Sequence, residues 1–213
     1  MNAYQYISIE GTIGAGKTSL SKRLTADWAA RLILEEFADN PFLPKFYEQP
    51  DRYAFPLELS FLSERFAQLK KEMQHPDLFA PLVVADYMIH KCQIFAQNNL
   101  QRDEYELFLK VFQMVEPNLP KPDLLVYLYV PIEQLLKNIH QRGRAYEQKI
   151  SGEYLDNIQK QYLLFIQQHP ALRTIIIDTA HIDFVNNEYH YVALKSLIEA
   201  EYPIGVTRLS PTL

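Results

Sequence analysis

The stretch Gly11-Thr12-Ile13-Gly14-Ala15-Gly16-Lys17-Thr18 decides the fold. Its spacing is G-x-x-x-x-G-K-[ST], that of a phosphate-binding P-loop. Its flanks give the spacing meaning. Tyr4 to Ile9 alternates and reads as a short buried strand, and Ser19 to Arg31 reads as a helix. A strand feeding a glycine turn that opens a helix is the context the motif requires. Glycines let the backbone wrap closely around a phosphate chain without Cβ clashes. Its N–H groups then point inward, and the helix N-terminus adds partial positive charge. Gly11 to Thr18, with Ser19 behind them, form the cradle. Lys17 reaches the β- and γ-phosphates, and Thr18 offers a hydroxyl to Mg²⁺. The loop predicts a nucleoside triphosphate and leaves the phosphate acceptor open.

Working outward, Leu32-Ile33-Leu34 reads as a second buried strand that runs into Glu35-Glu36. Ligands of open parallel sheets gather at the carboxyl ends of strands, so this acidic pair sits at the functional edge. Asp51 to Met73 is helical in pattern, with Phe55, Leu59, Leu62, Phe66 and Leu69 at three- and four-residue intervals. Glu58 and Arg65 share a face of that helix about two turns apart. Pro76 and Pro81 flank a loop, and Leu82 to Ala85 is a third strand that ends at Asp86. Tyr87 to Leu100 and Asp103 to Val115 read as helices, and Leu124 to Val130 as a fourth strand. Ile132 to Arg142 is a helix that runs into the basic turn Arg142-Gly143-Arg144. A helix from Ser151 to about His169, a fifth strand at Thr174 to Asp178, and a helix with a loose tail complete the chain. This alternation predicts an α/β architecture: the three-layer P-loop NTPase fold, with a five-stranded parallel sheet and helices on both faces. No repeat or flexible linker divides residues 1–213, so one domain is expected.

Composition narrows the function classes. The net charge of −5, with no lysine- or arginine-rich run, argues against nucleic-acid and membrane-surface partners. No run of roughly 18 apolar residues is present to span a bilayer. The first strand follows the N-terminus directly, leaving no room for a signal peptide. The single cysteine, Cys92, excludes a disulfide framework and a cysteine metal cluster. A cytoplasmic location is the expectation.

Taken together, these segments resemble the deoxyribonucleoside kinase family, in particular its bacterial deoxyguanosine and deoxyadenosine kinases. The similarity runs to about Tyr191. It is carried by the P-loop, Glu35-Glu36-Phe37, the segment Asn40 to Tyr47, the helix 53–69, the acidic Asp86, and Arg142-Gly-Arg-Ala-Tyr-Glu-Gln148. The last of these resembles the family's LID, the loop that closes over ATP. The resemblance implies transfer of the γ-phosphate of ATP, with Mg²⁺, to the 5′-hydroxyl of a deoxynucleoside by a homodimer.

It also implies roles. Glu35 is the general base, with Glu36 as its rival, because a hydroxyl nucleophile needs a carboxylate within hydrogen-bond reach. Lys17 and the lid residues Arg142 and Arg144 meet charge on the transferring phosphoryl group. Tyr47 and Glu147 grip the sugar 3′-hydroxyl. Glu58 and Arg65 contact the base, and Asp86 with Thr18 serves Mg²⁺.

The sequence departs from the family at two places. Glu58 stands where a glutamine is usual. An ionised glutamate only accepts hydrogen bonds, which suits the N1–H and N2–H₂ donors of guanine. Alternatively, Glu58 and Arg65 form a structural ion pair. Strand three usually ends Asp/Glu-Arg-Ser, but here it ends Asp86-Tyr87-Met88, without the arginine. Lys91 or His90 could substitute for it, the acceptor could differ, or the chain could bind nucleotide with little catalysis. A nucleoside monophosphate kinase is a further alternative, opposed by the scarcity of arginine between residues 32 and 90, where only Arg52 and Arg65 occur.

Overall fold

The computed structural model describes residues 4–35, 40–74 and 82–211. Its elements run β1 (Tyr6–Gly11), α1 (Lys17–Trp28), β2 (Arg31–Ile33), α2 (Leu43–Glu48), α3 (Pro50–Met73), β3 (Val83–Ala85), α4 (His90–Asn99), α5 (Arg102–Val115), β4 (Leu124–Tyr129), α6 (Ile132–Arg142), α7 (Gly152–Gln168), β5 (Arg173–Asp178), α8 (Glu188–Glu199) and β6 (Gly205–Leu209). All strand pairs are parallel, in the order β2-β3-β1-β4-β5-β6. β1 is therefore central, and the chain order reverses beside it, which is where an open α/β sheet leaves a crevice.

Strand alternation sorts the helices into layers. Ile7 and Ile9 of β1, Val126 and Leu128 of β4, and Ile175 and Ile177 of β5 pack with Leu20 and Leu24 of α1, Leu135 and Ile139 of α6, and Leu194 and Ile198 of α8. On the opposite face, Tyr6, Val83 and Ala85 meet Leu62 and Leu69 of α3, Ala96 of α4, and Phe108 and Phe112 of α5. Leu125, Tyr127 and Ile176 on that face meet Ile158, Tyr162 and Phe165 of α7. These are the three layers expected from the sequence.

Three of the departures from expectation have a visible cause. The sheet has six strands, because the tail expected to be loose contains β6, parallel to β5. Its anchors lie far away in sequence. The Tyr4 hydroxyl donates to the Ala200 carbonyl and accepts from Tyr202 N–H, and Arg173 Nε donates to the Tyr202 carbonyl. Helix α1 stops at Trp28 because Ala29 turns left-handed, φ 48°, so that Arg31 enters β2. Helix α4 begins at His90 and not at Tyr87, since the Met88 N–H donates to the buried Glu10 carboxylate and holds residues 86–89 out of the helix.

Candidate active site

The P-loop joins β1 to α1 as the sequence requires. Gly14 and Gly16 adopt φ of 87° and 85°. A Cβ on Gly16 would lie 2.7 Å from Phe184 Cζ, and one on Gly14 would lie 2.9 Å from the Leu135 carbonyl oxygen. Both conformation and space therefore demand glycine. Asn138 of α6 braces the loop by donating to the Gly14 carbonyl at 2.9 Å. Lys17 Nζ donates to the Gly11 and Thr12 carbonyls at 2.8 and 3.1 Å. Burial lowers the pKa of Lys17, and the charge of Lys91 acts in the same direction.

Gly14, Gly16, Lys17, Thr18 and Ser19 line an open cleft on the α6 side. A second cavity lies on the α3 side. Gly14, Lys17, Thr18, Arg142 and Arg144 border both. A phosphoryl group leaving one cavity for the other would cross among these five residues.

Thr18 Oγ1 donates to Asp86 Oδ2 at 2.6 Å, and Asp86 Oδ1 accepts the Glu35 backbone N–H at 2.7 Å. A hydroxyl and a carboxylate side by side are hard oxygen donors. They fit Mg²⁺, which takes few protein ligands and fills its shell with phosphate oxygens and water. Among the described residues no group of three or more His, Cys, Asp or Glu could hold a metal alone.

Glu35, at the carboxyl end of β2, faces the second cavity. Oε1 accepts from Arg65 Nε at 2.9 Å and also from Nη2; Oε2 accepts from Lys91 Nζ at 2.5 Å. Burial alone would push its pKa up. Arg65, and then Lys91, outweigh that and hold the carboxyl well below the usual range. Glu35 is thus ionised, with both oxygens held by cations. Its rival Glu36 lies outside the described residues, as does the loop around Pro76 and Pro81.

The ion pair considered between Glu58 and Arg65 does not form; Arg65 pairs with Glu35, and its Nη1 lies 3.0 Å from Cys92 Sγ. Glu58 is instead held by Asn99, whose Nδ2 donates to Oε1 at 2.7 Å. Its other oxygen, Oε2, is buried and has no hydrogen-bond partner among the described residues. Burial raises the Glu58 pKa to about 7, against the hydrogen bond from Asn99 and the charge of Arg65.

Tyr47 borders the same cavity and stacks on Tyr146, with ring centroids 6.0 Å apart. Glu147 is buried and accepts from both lid arginines, Arg142 Nη2 at 2.5 Å and Arg144 Nη1 at 3.1 Å. One carboxylate therefore holds two guanidiniums that border both cavities.

Sequence reasoning named Lys91 and His90 as possible substitutes for the missing strand-three arginine. Lys91 is in the cavity. His90 points elsewhere, 3.4 Å from Glu116 and against Phe112, Phe165 and His169. Tyr87 also turns away, its hydroxyl donating to Gln68 Oε1 at 2.5 Å. Asn99 and Tyr154 of the cavity wall were missed. Each carries an ordinary helical polar or aromatic position, with no local motif to mark it.

Comparison with known proteins agrees with this geometry. The deoxynucleoside kinase family model matches residues 7–201. The chain is 36% identical over 203 residues to a deoxyguanosine kinase of Bacillus subtilis, covering 93% of this chain and 98% of that one. It is 31% identical over 190 residues to a deoxyadenosine/deoxycytidine kinase of the same organism, covering 85% and 86%. In fold it resembles a deoxyadenosine kinase from M. mycoides, with a TM-score of 0.77 at 24% identity, over 90% of this chain and 97% of that one. Among the described residues no helix is long and apolar enough to cross a membrane. A P-loop at the sheet's central strand, an oriented carboxylate across from its lysine and a match over nearly the whole length leave one conclusion: the chain belongs to the deoxynucleoside kinase family, phosphotransferases with an alcohol group as acceptor.

Proposed function

We propose that this kinase phosphorylates the 5′-hydroxyl of a purine deoxynucleoside, deoxyguanosine before the others, using ATP and Mg²⁺. The donor occupies the P-loop cleft and the nucleoside occupies the cavity between α3 and the lid. Glu35 takes the hydroxyl proton, since it is ionised and aimed by two cations. Lys17, Arg142 and Arg144 border both cavities and meet the charge of the moving phosphoryl group. Mg²⁺ held by Thr18 and Asp86 would supply charge neutralisation across the phosphate oxygens. Tyr47 and Glu147 contact the sugar, with Glu147 tying the lid arginines to an occupied acceptor site.

The observation that carries the choice of base is the Glu58 carboxylate. Its Oε2 is buried without a partner, and its Oε1 is fixed by Asn99. A buried acceptor left open is costly, and a ligand donor at that point relieves the cost. Guanine presents two adjacent donors, N1–H and N2–H₂; adenine presents a donor and an acceptor on the same edge. The relatives are named for deoxyguanosine, deoxyadenosine and deoxycytidine, so the choice of a purine rests on Glu58. A single domain, a cytoplasmic location and pairing into a homodimer complete the picture. Steady-state turnover of the four deoxynucleosides with ATP and Mg²⁺ tests the proposal. Deoxyguanosine should give the highest kcat/KM; a higher value for deoxyadenosine or deoxycytidine would overturn it.

A further inference from the structure

Lys91 lies in the first turn of α4 and is 6% exposed. Burying an ammonium is costly unless something compensates. Its partner, Glu35 Oε2, belongs to a carboxylate that Arg65 already grips by Oε1. One carboxylate therefore faces two cations. Around them the balance stays positive. Lys17 lies close enough that the charge of Lys91 helps to depress its pKa. Two further acids in reach are Glu58 and Glu10, the latter fully buried, with Oε1 taking the Met88 N–H and Oε2 the Tyr162 hydroxyl at 2.8 Å each. Burial pushes both up, so both are weak counter-charges. Asp86 accepts from two neutral donors, Thr18 and the Glu35 backbone, and so counts as one fixed anion. The cavity floor thus sets three cations, Lys17, Arg65 and Lys91, against two fixed anions, Glu35 and Asp86, beside the residues that border both cavities.

We propose that Lys91 is a catalytic residue, whose ammonium meets the negative charge developing on the transferring phosphoryl group while it fixes the second oxygen of Glu35. This role rests on phosphoryl transfer to a 5′-hydroxyl in this cavity. In that step the hydroxyl proton passes to Glu35. The new O–P bond forms as the bond from the γ-phosphorus to the β–γ bridging oxygen breaks, and its electron pair leaves with ADP. Glu10 is a positioning residue for Lys91: by holding the Met88 N–H it sets where α4 starts, and hence where Lys91 emerges.

The test compares Lys91→Met, Lys91→Gln and Lys91→Arg in the full chain, with kcat and KM for deoxynucleoside and ATP, and ATP binding by calorimetry. Glutamine keeps a donor for Glu35 without the charge. Met and Gln should each lower kcat roughly 100-fold, as loss of a preorganised charge at the reacting group does, with ATP affinity changed less than about threefold. Arginine should recover at least about tenfold over Met. A Gln variant with wild-type kcat would overturn the proposal, leaving Lys91 only a prop for Glu35. So would an Arg variant no better than Met although both bind ATP. A wild-type protein that phosphorylates no nucleoside would overturn the function proposed above and this role with it; an active wild type with unaffected variants would overturn this role alone.

Discussion

The cleft proposed for the donor and the cavity proposed for the acceptor share Gly14, Lys17, Thr18, Arg142 and Arg144, yet they are built from different material. On the donor side the cradle is backbone. Residues 11–18 are consecutive, and their conformation is enforced by glycines that a Cβ would jam against Phe184 or the Leu135 carbonyl. On the acceptor side the lining is side chains that follow β2 or lie on α2, α3, α4, α7 and the turn after α6: Glu35, Tyr47, Glu58, Lys91, Asn99, Tyr154 and Glu147. Backbone recognition suits a phosphate chain, which is the same in every nucleoside triphosphate. Side-chain recognition suits a base, whose edge must be told from that of its rivals. A change on the donor side should therefore remove activity towards all acceptors. A change on the acceptor side should redistribute it.

Glu35→Gln is the largest expected loss. It removes the base while keeping shape, so kcat should fall roughly 10²- to 10⁴-fold for every nucleoside, with ATP affinity held within about threefold by calorimetry. If kcat survives, proton removal does not run through Glu35. Gly16→Ala should come next, on the other side of the comparison. The residue must keep a left-handed φ of 85° with its methyl 2.7 Å from Phe184 Cζ. ATP binding should weaken by about 10- to 100-fold, equivalent to roughly 1–3 kcal/mol of strain, for all acceptors alike.

The third expectation concerns pH. Glu58 faces Asn99 on α4, Tyr154 on α7, and the charges of Arg65, Glu35 and Lys91. Its pKa is raised to about 7. Above that value it is an acceptor pair for guanine; below it, a protonated carboxyl donates as well and suits adenine. The ratio of kcat/KM for deoxyguanosine over deoxyadenosine should therefore fall about tenfold between about pH 8 and about pH 6. The same raised pKa has a sign in stability. It favours the native state below the unfolded carboxyl pKa, and that contribution is lost as pH rises through about 7. The swing is about 3 kcal/mol in the nucleoside-free protein, and Glu58→Gln should abolish it in denaturant titrations at the two extremes.

The smallest effect belongs to Tyr87. Its hydroxyl contacts Gln68, which in turn donates to the Leu34 carbonyl. Tyr87→Phe should cost about 1 kcal/mol of stability with kcat nearly unchanged. Tyr87→Arg should not raise activity, because the side chain is buried on the α3 side, close enough to Arg65 to feel its charge. A gain in turnover would mean that position 87 still faces the phosphates.

The same contrast explains what the sequence disclosed. The P-loop was legible because its function is local: eight adjacent residues carry both the conformation and the chemistry. The parallel sheet with helices on both faces followed from strands alternating with helices. β6 escaped because it is a short edge strand with alternating half-exposed side chains, tied down by Tyr4 and Arg173 from distant segments. In the cavity on the α3 side the structure brings together Glu35, singled out by its place at a strand end, and Glu58, singled out by its departure from a family pattern. The pairing of Arg65 with Glu35 and not Glu58 depends on how β2 lies across α3, which helix periodicity alone does not state. Lys91 gained its place from Glu10, 81 positions away, whose hold on Met88 delays the start of α4.

The division between the two cavities comes down to Glu58. The decisive measurement is the ratio of kcat/KM for deoxyguanosine over deoxyadenosine in the wild type and in Glu58→Gln, with KM for ATP recorded alongside. The wild type should favour deoxyguanosine, and the variant should lose that preference by about 10- to 100-fold, the worth of one base-edge pair, with KM for ATP unmoved. An unchanged ratio in a folded, ATP-binding variant would show that the base is not read by Glu58.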